Sequence, residues 1–392
     1  MLKSLQKELE QRQADGLLRQ RRLLDSPQAE HIVANNKPYL SFCSNDYLGL
    51  ANHPSLIAAM QQAAGNAGVG SGASGLVTGH HRYHDDLEKQ LARFVNLPAA
   101  LLFSTGYMAN IGTLGALAGR GDAIFADKLN HACLNDGSYY SLAEFNRFAH
   151  NDVAALERLL KVSTAKHKLI AVDAVFSMDG DLAPIPDYLA LCEKYDAYLY
   201  VDDAHGFGVL GEQGKGSLNY FHLTKNMPKS PRIIMMATLG KAAGVAGSFV
   251  AGEQVVIDYL IQKAKSYVYS TPAPPALSAT LAASVKLIEQ GDDLRANLNS
   301  LIAYLKDNLK LKKWQLMASD TPIQPLVVGG NKEALALSEY LQTLGILVPA
   351  IRPPTVPVGT ARLRISLSAA HTLEDVKKLV AAIHQAESEL GA

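Results

Sequence analysis

An α/β fold, built as a large domain with a mostly parallel central sheet plus a small α/β C-terminal domain, follows from three patterns in this 392-residue chain. First, short β-prone apolar runs alternate with helical stretches from about 99 to 252. The runs are Ala100–Phe103, Ala123–Phe125, Leu169–Val172, Tyr198–Val201, Ile233–Met236 and Ser248–Ala251. Near-continuous apolar runs suit strands covered on both faces, and helix-length spacers suit parallel crossovers. Second, the breaker-rich Ser270-Thr271-Pro272-Ala273-Pro274-Pro275 marks a boundary region. Third, the last hundred or so residues resume the alternation with fewer strands.

The other elements follow in order. Leucines at helical spacing among charged residues predict an amphipathic surface helix from Leu2 to about Leu24. Pro38–Phe42 predicts a short strand, and Ser44-Asn45-Asp46-Tyr47-Leu48-Gly49 a turn. Pro54–Ala64 has a helical pattern. A long helix is expected through Leu281–Ile288 and beyond. Pro325–Val328 and Ala361–Leu367 supply strands, and Glu374–Ala386 a closing helix. The expected division is 1–45 (helix and short strand, packing with the small domain), 46–285 (large domain) and 286–392 (small domain).

Composition narrows the function. Thirty-seven Lys and Arg balance 37 Asp and Glu, leaving no general excess of positive charge to neutralise nucleic-acid phosphates. Cys43, Cys133 and Cys192 are widely spaced with no CxxC pair, which fits reduced thiols rather than a disulfide framework or a thiolate zinc site. The first residues carry charges throughout and lack the apolar core of a signal peptide. No stretch reaches the length of a membrane span. The expected location is cytoplasmic, away from membranes.

The chemistry centres on Lys241, which lies a few tens of residues after Val201-Asp202-Asp203-Ala204-His205-Gly206. A lysine amine can join an aldehyde cofactor covalently, and a carboxylate ending an apolar strand can keep a pyridine nitrogen protonated. Together they are the minimum equipment for pyridoxal 5′-phosphate chemistry. Asp202 follows Tyr198–Val201, at the strand end where open parallel sheets bind ligands. Taken alone it also fits a helix cap or turn aspartate. His205 can reach the cofactor's phenolic oxygen, Thr238 a phosphate oxygen, and Ser177 the polar edge of the ring. His131 can lie flat on that ring. Ser104-Thr105-Gly106-Tyr107 opens a helix after a strand, a setting that binds phosphate.

Two motifs read differently. Gly70-Ser71-Gly72-Ala73-Ser74-Gly75 matches GxGxxG, but a helical stretch precedes it where a dinucleotide site needs a strand. His80-His81-x-x-His84 has metal-like spacing without further ligands, and no metal is expected.

In order along nearly the whole chain, Ser44–Leu50, the glycine run at 70–75, Phe176–Asp181, Val201–Gly206, Thr238–Lys241 and Gly359–Arg364 resemble the α-oxoamine synthases. These are fold-type I pyridoxal-phosphate acyltransferases that join an amino acid to an acyl thioester with loss of CO2. Arg147–Asp152 and Ile351–Pro357 are most similar to the biotin-pathway branch, which uses L-alanine and a pimeloyl thioester. The resemblance implies that Lys241, Asp202, His205 and His131 are catalytic. It implies that Gly106, Tyr107, His131, Ser177, Asp202, His205, Thr238 and Lys241 hold the cofactor. It also implies a homodimer with active sites at the interface, where Ser270 and Thr271 reach the neighbour's phosphate. Arg19, Asn45, His131, Thr355 and Arg364 are implied to meet substrate, with Arg364 preferred over Arg362 for the amino-acid carboxylate. Asp173 stands where the family pattern has glutamate, and Thr105 where serine is more usual. The sequence leaves open whether CoA or a carrier protein bears the acyl group. The nearest alternatives are a sister synthase using glycine or serine and a fold-type I aminotransferase.

Overall fold

Each apolar run between 99 and 252 becomes a strand of one seven-stranded sheet in the computed structural model, which describes residues 1–19 and 21–390. Across the sheet the strands are Ala99–Phe103, Ser248–Gly252, Ile233–Thr238, Ala197–Asp202, Lys168–Asp173, Ala123–Asp127 and Glu144–Phe148. Ser248–Gly252 runs against both neighbours, and the others share one direction. The central strands are buried nearly throughout, as double-sided helix cover requires.

Glu144–Phe148 is a strand the sequence pattern does not announce. It pairs only with Ala123–Asp127, at the sheet edge, and Phe148 is its one fully buried residue. An edge strand carries polar side chains and needs no apolar run.

The chain divides into two compact units. The smaller comprises residues 1–49, 178–181 and 296–392, and the larger 50–177 and 182–295. The Ser270–Pro274 loop lies inside the larger unit. In the smaller unit an antiparallel sheet runs Gln315–Leu316, Ile323–Gly329, Ala361–Ser366, Ala350–Ile351. A second sheet joins His31–Ala34, Lys37–Ser41 and Ile346–Leu347. The first helix, Leu2–Ala14, ends about ten residues earlier than leucine spacing predicts, and no residue of it is buried. Gly16 follows at φ +65°, a left-handed position that stops a helix. The long helix expected from Leu281 onward is two, Pro275–Glu289 and Asp292–Asn308, separated at Gln290-Gly291.

The histidine and glycine motifs have local uses in the larger unit. Helix Pro54–Ala67, not a strand, leads into 70–75, and a short π-helical turn, Gly75–Gly79, follows. His81 caps helix Arg82–Phe94 by accepting the Tyr83 N–H, and His84 Nδ1 accepts the His81 N–H at 2.9 Å. His84 Nε2 then reaches Ala273 O at 2.8 Å.

Glu88, one turn further on, accepts the Leu102 N–H at 2.9 Å and so ties this helix to strand Ala99–Phe103. Burial pushes its carboxyl up to about 7, against the pull of the Leu102 N–H. A folded value above the unfolded one makes its contribution complete below about pH 4.5 and lost as pH rises through about 7. Glu88→Gln keeps an acceptor for Leu102. Urea denaturation at about pH 8 should therefore show the variant more stable by up to about 3 kcal/mol, with little difference near pH 4. A variant weaker than the parent at pH 8 would contradict this reading.

Candidate active site

Parallel packing brings the carboxyl ends of neighbouring strands to one edge. There Asp127, Asp173, Asp202 and Thr238 close four strands in turn, with Asp173 opposite Asp202 in register. Asp202 is buried. Its Oδ1 accepts the Ala204 N–H at 3.0 Å, as a turn aspartate does. Its Oδ2 accepts from Asn110 Nδ2 at 2.7 Å. The turn role and ligand-facing role expected for this residue are thus compatible.

Beyond Thr238 the chain makes a tight turn that carries Lys241. The Leu239 N–H donates to Gly247 O, the Val245 N–H to Leu239 O and the Gly244 N–H to Lys241 O. Thr238 Oγ1 donates to Gly247 O at 3.2 Å and accepts the Gly240 N–H at 3.4 Å. Lys241 Nζ comes within 2.8 Å of His205 Nε2. His205 sits in the loop after Asp202, so the amine, the imidazole and the carboxylate are set by two adjacent strand ends.

His131 approaches from a third. Its backbone N–H donates to Asp173 Oδ2 at 2.6 Å, and its ring caps helix Ala132–Ser141 by accepting the Cys133 N–H. Burial lowers the imidazole pKa; the Asp202 carboxylate raises it and Lys241 lowers it. His131 therefore senses both groups electrostatically. Asp173 is buried beside Asp202, and burial, reinforced by that like charge, pushes its carboxyl well above the usual range.

Helix Gly106–Leu117 starts directly after strand Ala99–Phe103, with Thr105 as its cap: Oγ1 accepts the Met108 N–H at 3.1 Å. Thr105 does the work of the more usual serine. Gly106 and Tyr107 are the first helical residues, where N–H groups lack acceptors within the helix. A Cβ on Gly106 would meet nothing nearer than Met236 Cε at 3.7 Å, an ordinary contact. The Tyr107 hydroxyl donates to Asp136. A small cavity of about 40 Å³ is lined by Ser104, Ser248, Tyr267, Ser270, Thr271 and His84, among others. It joins the Ser270–Thr271 loop to the strand end before Gly106. Ser177 lies past strand Lys168–Asp173 and is half-buried.

The remaining candidates belong to the smaller unit. Arg364, on strand Ala361–Ser366, is buried and donates to Asn45 Oδ1 at 3.1 Å, Ser366 Oγ at 2.8 Å and the Tyr47 hydroxyl at 3.3 Å. Arg362, two residues earlier, is committed elsewhere through an ion pair with Asp179 at 2.7 Å. Arg19 and Thr355 are exposed. The Arg19 charge reaches Arg352, whose pKa is lowered first by burial and then by Arg19.

This donor set suits pyridoxal 5′-phosphate: an amine for its aldehyde, a buried carboxylate for its ring nitrogen and an uncluttered helix start for its phosphate. Sequence reasoning missed Asn110, which bonds Asp202 directly, and Cys133 and Tyr200, which bond Asn110. Nothing in their spacing marks them.

The Lys241 turn depends on Gly244, at φ +68°, where a Cβ would fall 2.6 Å from both Ala51 N and Leu50 C. Backbone cannot step aside as a side-chain tip can. Gly244→Ala should lower stability by about 2–4 kcal/mol in denaturant titration. Gly240→Ala, whose Cβ meets nothing nearer than 3.8 Å, should cost no more than about 1 kcal/mol. Equal costs would remove the steric explanation.

The chain as a whole is similar to known proteins. The family model described as aminotransferase class I and II matches residues 37–383. An 8-amino-7-oxononanoate synthase of Methylobacillus flagellatus is 58% identical over 387 residues, covering 99% of this chain and 96% of its own. Among solved structures, a serine palmitoyltransferase variant from S. paucimobilis with bound PLP and myriocin superposes with a TM-score of 0.92. It is 27% identical, and the match covers 99% of this chain and 98% of that one. The 8-amino-7-oxononanoate synthase of Francisella tularensis gives a TM-score of 0.77 at 29% identity, over 90% of this chain and 99% of that one. The chain belongs to the aminotransferase class I and II family and, within its α-oxoamine synthase branch, to the group of 8-amino-7-oxononanoate synthases.

Proposed function

We propose that the chain uses pyridoxal 5′-phosphate to condense L-alanine with a pimeloyl thioester. The products would be 8-amino-7-oxononanoate, CO2 and the free thiol carrier, in biotin biosynthesis. The observation that carries this reading is the approach of Lys241 Nζ to His205 Nε2 at 2.8 Å beside a buried Asp202, in a chain 58% identical to an enzyme of that name.

When bound, the cofactor supplies an electron sink that stabilises negative charge at the substrate carbon it activates. The chain supplies position and proton traffic. Lys241 Nζ would hold the cofactor aldehyde, and as a free amine it would take and return the substrate α-proton. Asp202 would accept the ring N–H and His131 would lie over the ring. His205, Ser177 and Thr238 would hold its polar groups, and the backbone of Gly106 and Tyr107 would face the phosphate. In a homodimer, Ser270 and Thr271 reach the phosphate held by the partner subunit. Arg364 receives the amino-acid carboxylate, because Arg362 is already paired with Asp179. Asn45 and Thr355 contact substrate, and Arg19 the acyl chain.

Free-thiol release measured across amino acids and acyl donors tests the assignment. L-Alanine with a pimeloyl thioester, on CoA or on acyl carrier protein, should be fastest. Faster release with glycine and a short acyl donor, or with serine and a long one, would move the chain to a sister activity. Lys241→Ala should abolish release while leaving the melting temperature near that of the parent; retained turnover would remove Lys241 from its role. Asp202→Asn should still bind cofactor but turn over about a hundredfold or more slowly, read in single-turnover kinetics.

A further inference from the structure

An amide in an apolar core is costly unless every polar atom is matched. Asn110 is fully buried in helix Gly106–Leu117, among Ala109, Leu114 and other apolar or small residues, and both of its side-chain polar atoms are bonded. The Tyr200 hydroxyl donates to its Oδ1 at 2.7 Å. Its Nδ2 donates to Asp202 Oδ2 at 2.7 Å and to Cys133 Sγ at 2.9 Å. Tyr200 and Asp202 stand two residues apart on one strand, so their side chains leave the same face of the sheet. Asn110 meets both from the helix packed against it.

We propose that Asn110 is a positioning residue for the reaction. Its amide, oriented by Tyr200, fixes the plane of the Asp202 carboxylate and, through Cys133, the ring of His131. The proposal rests on the reading above that Asp202 faces the cofactor ring nitrogen and His131 the ring itself.

The direction of each bond is set by neighbours. Burial pushes the Tyr200 phenol well above its usual range, with Asp202 adding to the effect, so the hydroxyl keeps its proton and donates. The amide oxygen must then face Tyr200 and the NH2 group Asp202. Burial and the nearby Asp202 charge likewise push the Cys133 thiol far up, so it stays an S–H donor. Its sulfur lies 2.7 Å from His131 Nδ1, which also accepts the Cys133 backbone N–H at 3.3 Å. An Nδ1 that accepts leaves the ring proton on Nε2. A leucine at 110 would fill similar space without doing any of this.

Asn110→Asp keeps the shape but turns an oxygen toward Asp202 Oδ2, where an N–H now points. Tyr200→Phe removes only the orienting hydroxyl. Both are compared as holoenzymes with the parent and with Asp202→Asn, reading the visible absorption band of bound cofactor, its dissociation constant and the melting temperature of each apo protein. Asn110→Asp should weaken pyridoxal-phosphate binding by about tenfold or more and shift the band in the same direction as Asp202→Asn. Tyr200→Phe should do the same by about threefold, with a smaller band shift. A purely structural role would lower the melting temperature and leave the band in place. If Asp202→Asn moves the band and Asn110→Asp does not, the positioning role is wrong while the Asp202 reading stands. If Asp202→Asn leaves it unmoved, both fall. Should Asn110→Asp fail to fold, an unmoved band and unchanged affinity in Tyr200→Phe overturn the proposal.

Discussion

The larger unit is organised around a buried carboxylate at the end of its central strand. A charge withdrawn from water is tolerated only with donors and opposite charge close by. Asp202 takes one donor from the following turn and one from a helix packed on the sheet. The neighbouring strand ends are shaped by the same requirement. Asp173, opposite it in register, is pushed toward its protonated form by burial and by Asp202 itself. Asp203, the next residue, is fully buried, accepts the Ser217 N–H at 2.8 Å and is pushed up to about 7 by burial. Burial thus raises the pKa of both acids beside Asp202, Asp173 across the register and Asp203 next in the chain.

Glycines make that crowding possible. A Cβ on Gly206 would fall 2.1 Å from Asp203 Oδ1, and one on Gly216 2.2 Å from Asp203 Oδ2. The loop bearing His205 can therefore fold directly over the acid pair. At the other end of the candidate cofactor site the control is polar. Ser71 Oγ and His84 Nε2 both bond Ala273 O, at 2.9 and 2.8 Å, and so pin the loop carrying Ser270 and Thr271. The glycine-run serine and the third histidine of the metal-like motif meet at one carbonyl oxygen.

Much of this was legible because apolar runs and strand-end residues are local signals. Tyr198–Val201 followed by aspartate, and Ile233–Met236 followed by Thr238 and Lys241, need no knowledge of distant contacts. Strand direction is different: Ser248–Gly252 has the same apolar run whether parallel or not, so its reversed direction could not be read. Glu144–Phe148 escaped because an edge strand has one neighbour and polar faces. Leucine spacing runs past the end of helix Leu2–Ala14 because it carries no mark of the left-handed Gly16. Asn110 was invisible for a deeper reason. It lies 92 residues from Asp202, and an asparagine inside a glycine- and alanine-rich helix carries no local mark of what it faces. Arg362 and Arg364 illustrate the same limit, since only the ion pair with Asp179 separates their uses.

The central claim is a covalent link between Lys241 Nζ and the cofactor aldehyde. Borohydride reduction of the holoenzyme, followed by digestion and peptide mass spectrometry, reads that link directly. The account predicts one modified peptide, the one containing Thr238-Leu239-Gly240-Lys241, carrying the mass of the reduced cofactor on the lysine. A label on another lysine, or none on a fully reconstituted yellow protein, would contradict it.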